Sequence, residues 1–143
     1  MIRKISSGDR ELYMQMTGEF YNSDAVIHPI PEEYRENTFD ELIRSDVYAE
    51  CYIFEENGSA AGYALTAKTY SQEAGGLVIW LEELYVRPEY RSHGIGKQFF
   101  EYLTNLHAAR FRLEVEPDNL RAVKLYDKLG FEDLPYMQMK KGN

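Results

Sequence analysis

The stretch that most narrows the possible folds lies between residues 77 and 115. Residues 77–86 read as a strand that Pro88 must end, since proline cannot donate to a ladder. A glycine-bearing turn follows, and then a helix over 94–109 with Ile95, Phe99, Tyr102, Leu103 and Leu106 on one face. Residues 111–115 alternate as a second strand through Phe111, Leu113 and Val115. Strand, crossover helix and strand predict a parallel pair and an α/β fold. In such a fold the turn lies at the carboxyl end of the sheet, where ligands bind.

The turn reads Arg91-Ser92-His93-Gly94-Ile95-Gly96-Lys97. Two glycines at a helix start let the backbone approach a ligand and leave several amide N–H groups without helical partners. The positive end of the helix dipole lies there too, so an anion such as a pyrophosphate fits, and Arg91 and Lys97 add charge. Taken alone, Gly94 and Gly96 serve equally well as a tight structural turn. The spacing is not that of a Walker A loop. Nor is it a dinucleotide fingerprint, because Phe99 stands where the third glycine belongs.

Around this unit the chain reads as one domain, residues 1–143, with no internal repeat or linker-like tract. A first strand is predicted over 2–5. Ser6 and Asp9 have capping-box spacing ahead of a helix carrying Leu12, Met16 and Phe20. Pro31 could open a second helix, and Thr38 with Glu41 predicts another capping box. Strands over 48–55 and 60–70 flank Asn57-Gly58, a strong hairpin signal. Asn119 predicts the cap of a last helix through Leu129, closed by Gly130, and 131–140 predicts one or two final strands interrupted by Pro135.

Net charge is −8, from 16 basic and 24 acidic residues. That disfavours nucleic acid, whose binding requires phosphate neutralisation, and anionic lipid, while favouring cationic substrates. No apolar stretch reaches the roughly 18 residues of a membrane span, nor does one follow the basic start as in a secretory signal. A cytoplasmic protein is the expectation. The single cysteine, Cys51, allows no internal disulfide and is expected to be a buried, inert thiol. His28, His93 and His107 are scattered without metal-ligand spacing, so no metal is expected.

Two segments together resemble the signature of the GNAT acetyltransferase superfamily. Leu81-Glu82-Glu83-Leu84-Tyr85-Val86-Arg87-Pro88-Glu89-Tyr90-Arg91-Ser92-His93-Gly94-Ile95-Gly96 matches the family's phosphate loop, [RQ]-x-x-G-x-[GA], at Arg91, Gly94 and Gly96. Downstream, Asn119-Leu120-Arg121-Ala122-Val123-Lys124-Leu125-Tyr126-Asp127-Lys128-Leu129-Gly130-Phe131 is similar to the family's N-x-x-A-x-x-x-Y-x-K-x-G-F. The resemblance implies a mixed, mostly antiparallel sheet of six to seven strands, flanked by about four helices, with splayed central parallel strands. It also implies acetyl-CoA as cosubstrate and direct transfer to an amine in a ternary complex.

The resemblance assigns residues as follows. Backbone groups of Leu84, Tyr85 and Val86 would pair with the pantetheine arm like an added strand. Amides of Ser92, His93, Gly94, Ile95, Gly96 and Lys97 would hold the pyrophosphate, beside Arg91. His93 occupies a variable position there and is expected to face solvent. Asn119 would contact the cofactor arm, a role compatible with capping its helix. Tyr126 matches the general acid that protonates the departing thiolate, against the plainer reading of a packed aromatic. A backbone N–H near Val86 would meet the oxyanion.

For the base, Glu82 is favoured over Glu83, because some family members use a glutamate at that position through water. Glu83 would bind or orient the ammonium group, and a bulge could exchange the two. Tyr21, His28 and Tyr34 flank the early loop that covers the acceptor in this family. The expected acceptor is a small cationic amine, such as a polyamine or amino-acid derivative. A protein lysine or N-terminus is the alternative, and a non-catalytic CoA-binding module is a further one. By family analogy a homodimer is expected, with residues 136–140 taking part.

Overall fold

In the computed structural model, which describes residues 1–143, five strands form one sheet in the order β1-β2-β3-β4-β5. They are β1 (Ile2–Lys4), β2 (Ala49–Glu56), β3 (Ser59–Ser71), β4 (Gly76–Val86) and β5 (Arg110–Leu113). The first four run antiparallel in sequence, and β5 alone joins β4 in parallel. Asn57 and Gly58 both take positive φ in the β2–β3 turn, which is why that dipeptide makes the hairpin.

Four helices cover the sheet: α1 (Arg10–Tyr21), α2 (Glu32–Arg44), α3 (Ile95–Thr104) and α4 (Leu120–Lys128). One face takes α3, whose Ile95, Phe99, Phe100 and Leu103 are buried against Tyr52, Phe54, Ile79 and Leu81; Tyr126 of α4 packs on the same cluster. The other face takes α1 and α2, with Tyr13, Met16, Phe20 and Phe39 against Cys51, Ile53, Tyr63 and Tyr85. Each large apolar side chain so buried contributes about 1.5–3 kcal/mol. Arg35 of α2 reaches across to α1, donating to the Met14 carbonyl at 2.8 Å and the Thr17 hydroxyl at 3.0 Å.

Several local expectations are corrected. Thr38 caps nothing: it lies inside α2, and its hydroxyl donates to the Tyr34 carbonyl at 2.7 Å. Back-bonding to i−4 is what a mid-helix threonine does when the helix has already begun, here after Pro31. Helix α3 ends at Thr104 rather than 109, where i→i+3 bonds from Asn105 and Leu106 tighten the chain. The final strands over 131–140 are absent, leaving five strands rather than six or seven. Pro135 cannot donate to a ladder, and beyond it the tail reaches the rest of the fold through side chains: Tyr136 donates to Glu73 and Asn143 to Tyr34.

Candidate active site

The parallel pairing of β4 and β5 runs from Val78 and Arg110 to Leu81 and Leu113, and stops there. Beyond that point no strand pairs with the β5 side of β4 from Glu82 to Val86. A β-bulge marks the place: opposite β3, Leu65 pairs with Glu83 and Thr66 with Leu81, so Glu82 is the extra residue. The bulge resets the alternation. Leu81, Leu84 and Val86 pack on the α3 face, while Tyr85 turns to the α1–α2 face.

The two glutamates consequently differ. Glu82 is exposed at the opening between the strands. Its carboxyl is raised above the ordinary range by the protein crowded around it, then by the charges of Glu114 and Glu83. Glu83 is half-buried and accepts the Tyr63 hydroxyl at 2.8 Å on one oxygen and the Tyr21 hydroxyl on the other. Burial raises its carboxyl, and the phenols of Tyr21 and Tyr63, with Arg35 at longer range, partly offset this.

At the end of β4, Arg87 makes a two-pronged ion pair with Glu19 of α1, at 3.1 and 2.9 Å, and Tyr85 donates to the same carboxylate at 3.1 Å. This ties the acceptor-side helix to the strand just before the turn. Gly62 of β3 lets the strands come this close, since a Cβ there would stand 2.1 Å from the Tyr85 carbonyl. Neither Gly62 nor Tyr63 stood out in the sequence. A glycine inside an apolar strand was the available signal for the first.

The turn has the form of an anion cradle. Gly94 adopts φ 80° and Ser92 φ 67°, and α3 then starts without a side-chain cap. The amides of residues 92–97 donate to no oxygen of the protein, the first helical bond being Gln98 N–H to Gly94 O at 3.0 Å. No atom lies within 4 Å of where a Cβ on Gly94 or Gly96 would sit, so a ligand can come against the backbone. These features fit a pyrophosphate.

Lys97 is exposed beside the cradle, whereas Arg91 folds back, its Nε donating to the Val86 carbonyl at 3.0 Å. That carbonyl is therefore engaged, and the Tyr85 backbone faces β3, where its carbonyl lies against Gly62; of the backbone groups expected to meet the pantetheine arm, those of Leu84 stay on the free side. His93 does not simply face solvent: its Nδ1 lies 2.8 Å from a carboxylate oxygen of Glu56, the last residue of β2, linking the cradle to the β2–β3 hairpin.

Asn119 caps α4, its Oδ1 accepting from the Ala122 amide at 3.2 Å. Tyr126 is half-buried between the rings of Phe100 and Phe131, at 5.7 and 6.0 Å between centroids. Its hydroxyl takes no partner in the protein, and burial raises its pKa. On the α1–α2 side, Tyr21 joins Glu83, but His28 is exposed in the loop 22–31 and Tyr34 faces the tail through Asn143. Cys51 is buried, and burial pushes its thiol up, which keeps it un-ionised and inert.

The acetyltransferase (GNAT) family model matches residues 11–131. The chain is 32% identical to the thialysine N-epsilon-acetyltransferase of Mus musculus, over 93% of this chain and 84% of that protein. A possible acetyltransferase from Clostridium difficile 630 superposes with a TM-score of 0.87 at 18% identity, covering 100% of this chain and 97% of that one. The aminoglycoside N-acetyltransferase AAC(6')-Iy in complex with CoA superposes with a TM-score of 0.78 at 20% identity, covering 99% and 93%. With a cradle that fits a pyrophosphate at the end of β4 and a family match over most of its length, this chain belongs to the GNAT acetyltransferase family.

Proposed function

We propose that the protein acetylates a primary amine at the end of a flexible, cationic small molecule, with acetyl-CoA as donor. The observation that carries this reading is the run of unbonded amides at residues 92–97, adjoining a strand whose bulge presents two carboxyls of different character. The resemblance to the thialysine acetyltransferase supports an acceptor resembling an amino-acid side chain. The net charge of −8 favours the approach of a cation.

Acetyl-CoA supplies the acetyl thioester, held by the residue 92–97 amides, by Lys97 and by the free edge of β4 at Leu84. Glu82, exposed at the opening and raised in pKa, takes the proton released as the ammonium becomes a nucleophilic amine, directly or through one water. The C–N bond forms as the C–S bond breaks; the Tyr126 hydroxyl, free of protein partners, gives its proton to the leaving sulfur, and the second proton shed by the nitrogen as it becomes an amide returns to the Tyr126 phenolate, so that the one proton on Glu82 is the net proton released. The Val86 N–H is the oxyanion donor in this scheme. Neither His28 nor Tyr34 has a part in it.

The test is calorimetric titration of acetyl-CoA, followed by product analysis on thialysine, lysine, polyamines, aminoglycosides and lysine peptides. Saturable binding and N-acetyl product on the free small amines are expected, and turnover of peptides alone would move the acceptor to proteins. Tyr126→Phe is expected to lower kcat about 100-fold, the lower end for removing a general acid, with acetyl-CoA affinity within about twofold. An equally active Phe variant would leave Tyr126 a packing residue. Binding without any turnover would make the protein a CoA-binding module.

A further inference from the structure

Glu83 is a carboxylate that three separate elements enclose and that no cation neutralises. Tyr21 is the last residue of α1, Tyr63 comes from β3 and Glu83 from β4, and each phenol donates to a different carboxylate oxygen. Tyr63 is fully buried, its ring wedged against those of Tyr13, Phe20 and Tyr85 at 6.2, 6.2 and 6.1 Å between centroids. That packing fixes where its hydroxyl points. The nearest guanidinium, Arg35, is spent on the Met14 carbonyl and the Thr17 hydroxyl, and no ion pair of the protein includes Glu83.

An ionised carboxylate has about four acceptor positions, so two phenols leave it unsaturated. Holding a charge among aromatic rings without a counter-ion is unfavourable, and a bound cation offsets that. Glu82 differs on each count: it is exposed and bonded to nothing in the chain.

We propose that Tyr63 is the positioning residue that aims Glu83, the carboxylate already expected to bind the ammonium group, at the acceptor's cation, so that Glu83 serves as its counter-charge. The proposal rests on the acetyltransferase reading above and divides the labour of the two glutamates: Glu83 binds the cation and Glu82 takes the proton. Selection of a cationic acceptor over a neutral one then resides in a carboxylate whose direction is set by a buried phenol. Tyr21 completes the set from the end of α1, beside the loop 22–31.

The groups that face Glu83 are Tyr13 and Tyr21 of α1, Arg35 of α2, Cys51 of β2, Tyr63 of β3 and Glu82 of β4. Burial raises the three tyrosines and the thiol, and the guanidinium charge is fixed, so only Glu82 and Glu83 change charge on the acid side of neutrality. A phenol donor favours the ionised carboxylate. Its removal must therefore raise the Glu83 pKa.

The experiment uses 13C-labelled glutamate carboxyl NMR on the whole protein, with the Glu83 resonance assigned by its loss in Glu83→Gln and followed also in Glu82→Gln. Spermidine and thialysine are expected to shift that resonance, and their N-acetylated forms, lacking the reacting ammonium, to shift it less. In Tyr63→Phe the Glu83 titration should move to higher pH. The acid limb of kcat/KM should move with it, and the amine KM should rise about 10-fold while acetyl-CoA affinity stays within about twofold. A Glu83 resonance indifferent to amines overturns the proposal. So does a Tyr63→Phe protein with unchanged titration and amine KM. Should Tyr63→Phe not fold, Tyr21→Phe carries the same comparison. Should the wild type turn over no amine, the acetyltransferase reading fails in the kinetic arm, while the NMR arm still decides whether Glu83 receives an ammonium group.

Discussion

The two faces of the sheet are built from similar aromatic material and put to different use. On the α3 side, Tyr52, Phe54, Phe99 and Phe100 close over Ile79 and Leu81, and the carboxylate that the Tyr52 hydroxyl reaches at 2.7 Å, Glu50, is neutralised by Lys4 and Lys68. On the α1–α2 side, Tyr13, Phe20, Tyr63 and Tyr85 form a comparable aromatic set, but the hydroxyls of Tyr63 and Tyr85 reach Glu83 and Glu19. The first face is a rigid base for the turn at 91–97. The second holds Glu83 with no ion-pair partner, at some cost in stability. A backbone cradle needs only that its helix stay in place, while an ammonium site needs a charge aimed from within the packing.

Variants on each side should separate these uses. The largest effect is expected from Gly96→Asp, which puts a like charge beside the pyrophosphate in space that holds no other atom. Acetyl-CoA affinity should fall on the order of 1000-fold, with unfolding midpoint nearly unchanged, as read by calorimetry and urea denaturation. Normal binding by a folded variant would remove the cradle from the cofactor site.

Next in size is Phe99→Ala on the α3 face, where the side chain is fully buried. It should cost about 3–5 kcal/mol of stability, whereas Tyr63→Phe on the opposite face should cost about 1 kcal/mol and act mainly on the acceptor. Equal losses in urea midpoint would erase the distinction between the faces.

The smallest effect concerns pH. Asp9, paired with Arg3 at 2.8 Å and accepting the Ser6 amide, has its carboxyl held down to about 2 from the usual 3.8. A depressed carboxyl stabilises the fold above its unfolded value, so this contribution, on the order of 1–2 kcal/mol after solvent screening, should disappear as pH falls from about 4 to about 2. Glu83 has the opposite sign: its carboxyl is raised, and protonation on acidification relieves the cost of its burial. Urea midpoints against pH should therefore show a fall below about pH 4 that Asp9→Asn flattens. They should also show a small gain above that range which Glu83→Gln removes.

Local rules made much of this legible. The strand over 77–86 ended by Pro88, the alternation in 111–115, the i, i+4 spacing of Ile95, Phe99 and Leu103, and Asn57-Gly58 each correspond to an element close to where it was expected. The motif at Arg91, Gly94 and Gly96 was readable for the same reason, since tight turns and unpaired helix amides depend on a few adjacent residues. The capping pattern at Thr38 and the final strands over 131–140 were misread. A local signal does not reveal whether a helix has already started, or whether an edge will accept another strand.

By itself the sequence determined the α/β class, the crossover at β4–α3–β5 and the backbone cradle, because each rests on spacing within a few turns of chain. Only the tertiary structure decided the separate characters of Glu82 and Glu83, which hang on a one-residue bulge against β3. It also decided the partners that separate them: Tyr21 lies 62 residues away along the chain and Tyr63 lies 20 away. The environment of a side chain is set by what the whole fold packs against it, and no local pattern carries that information.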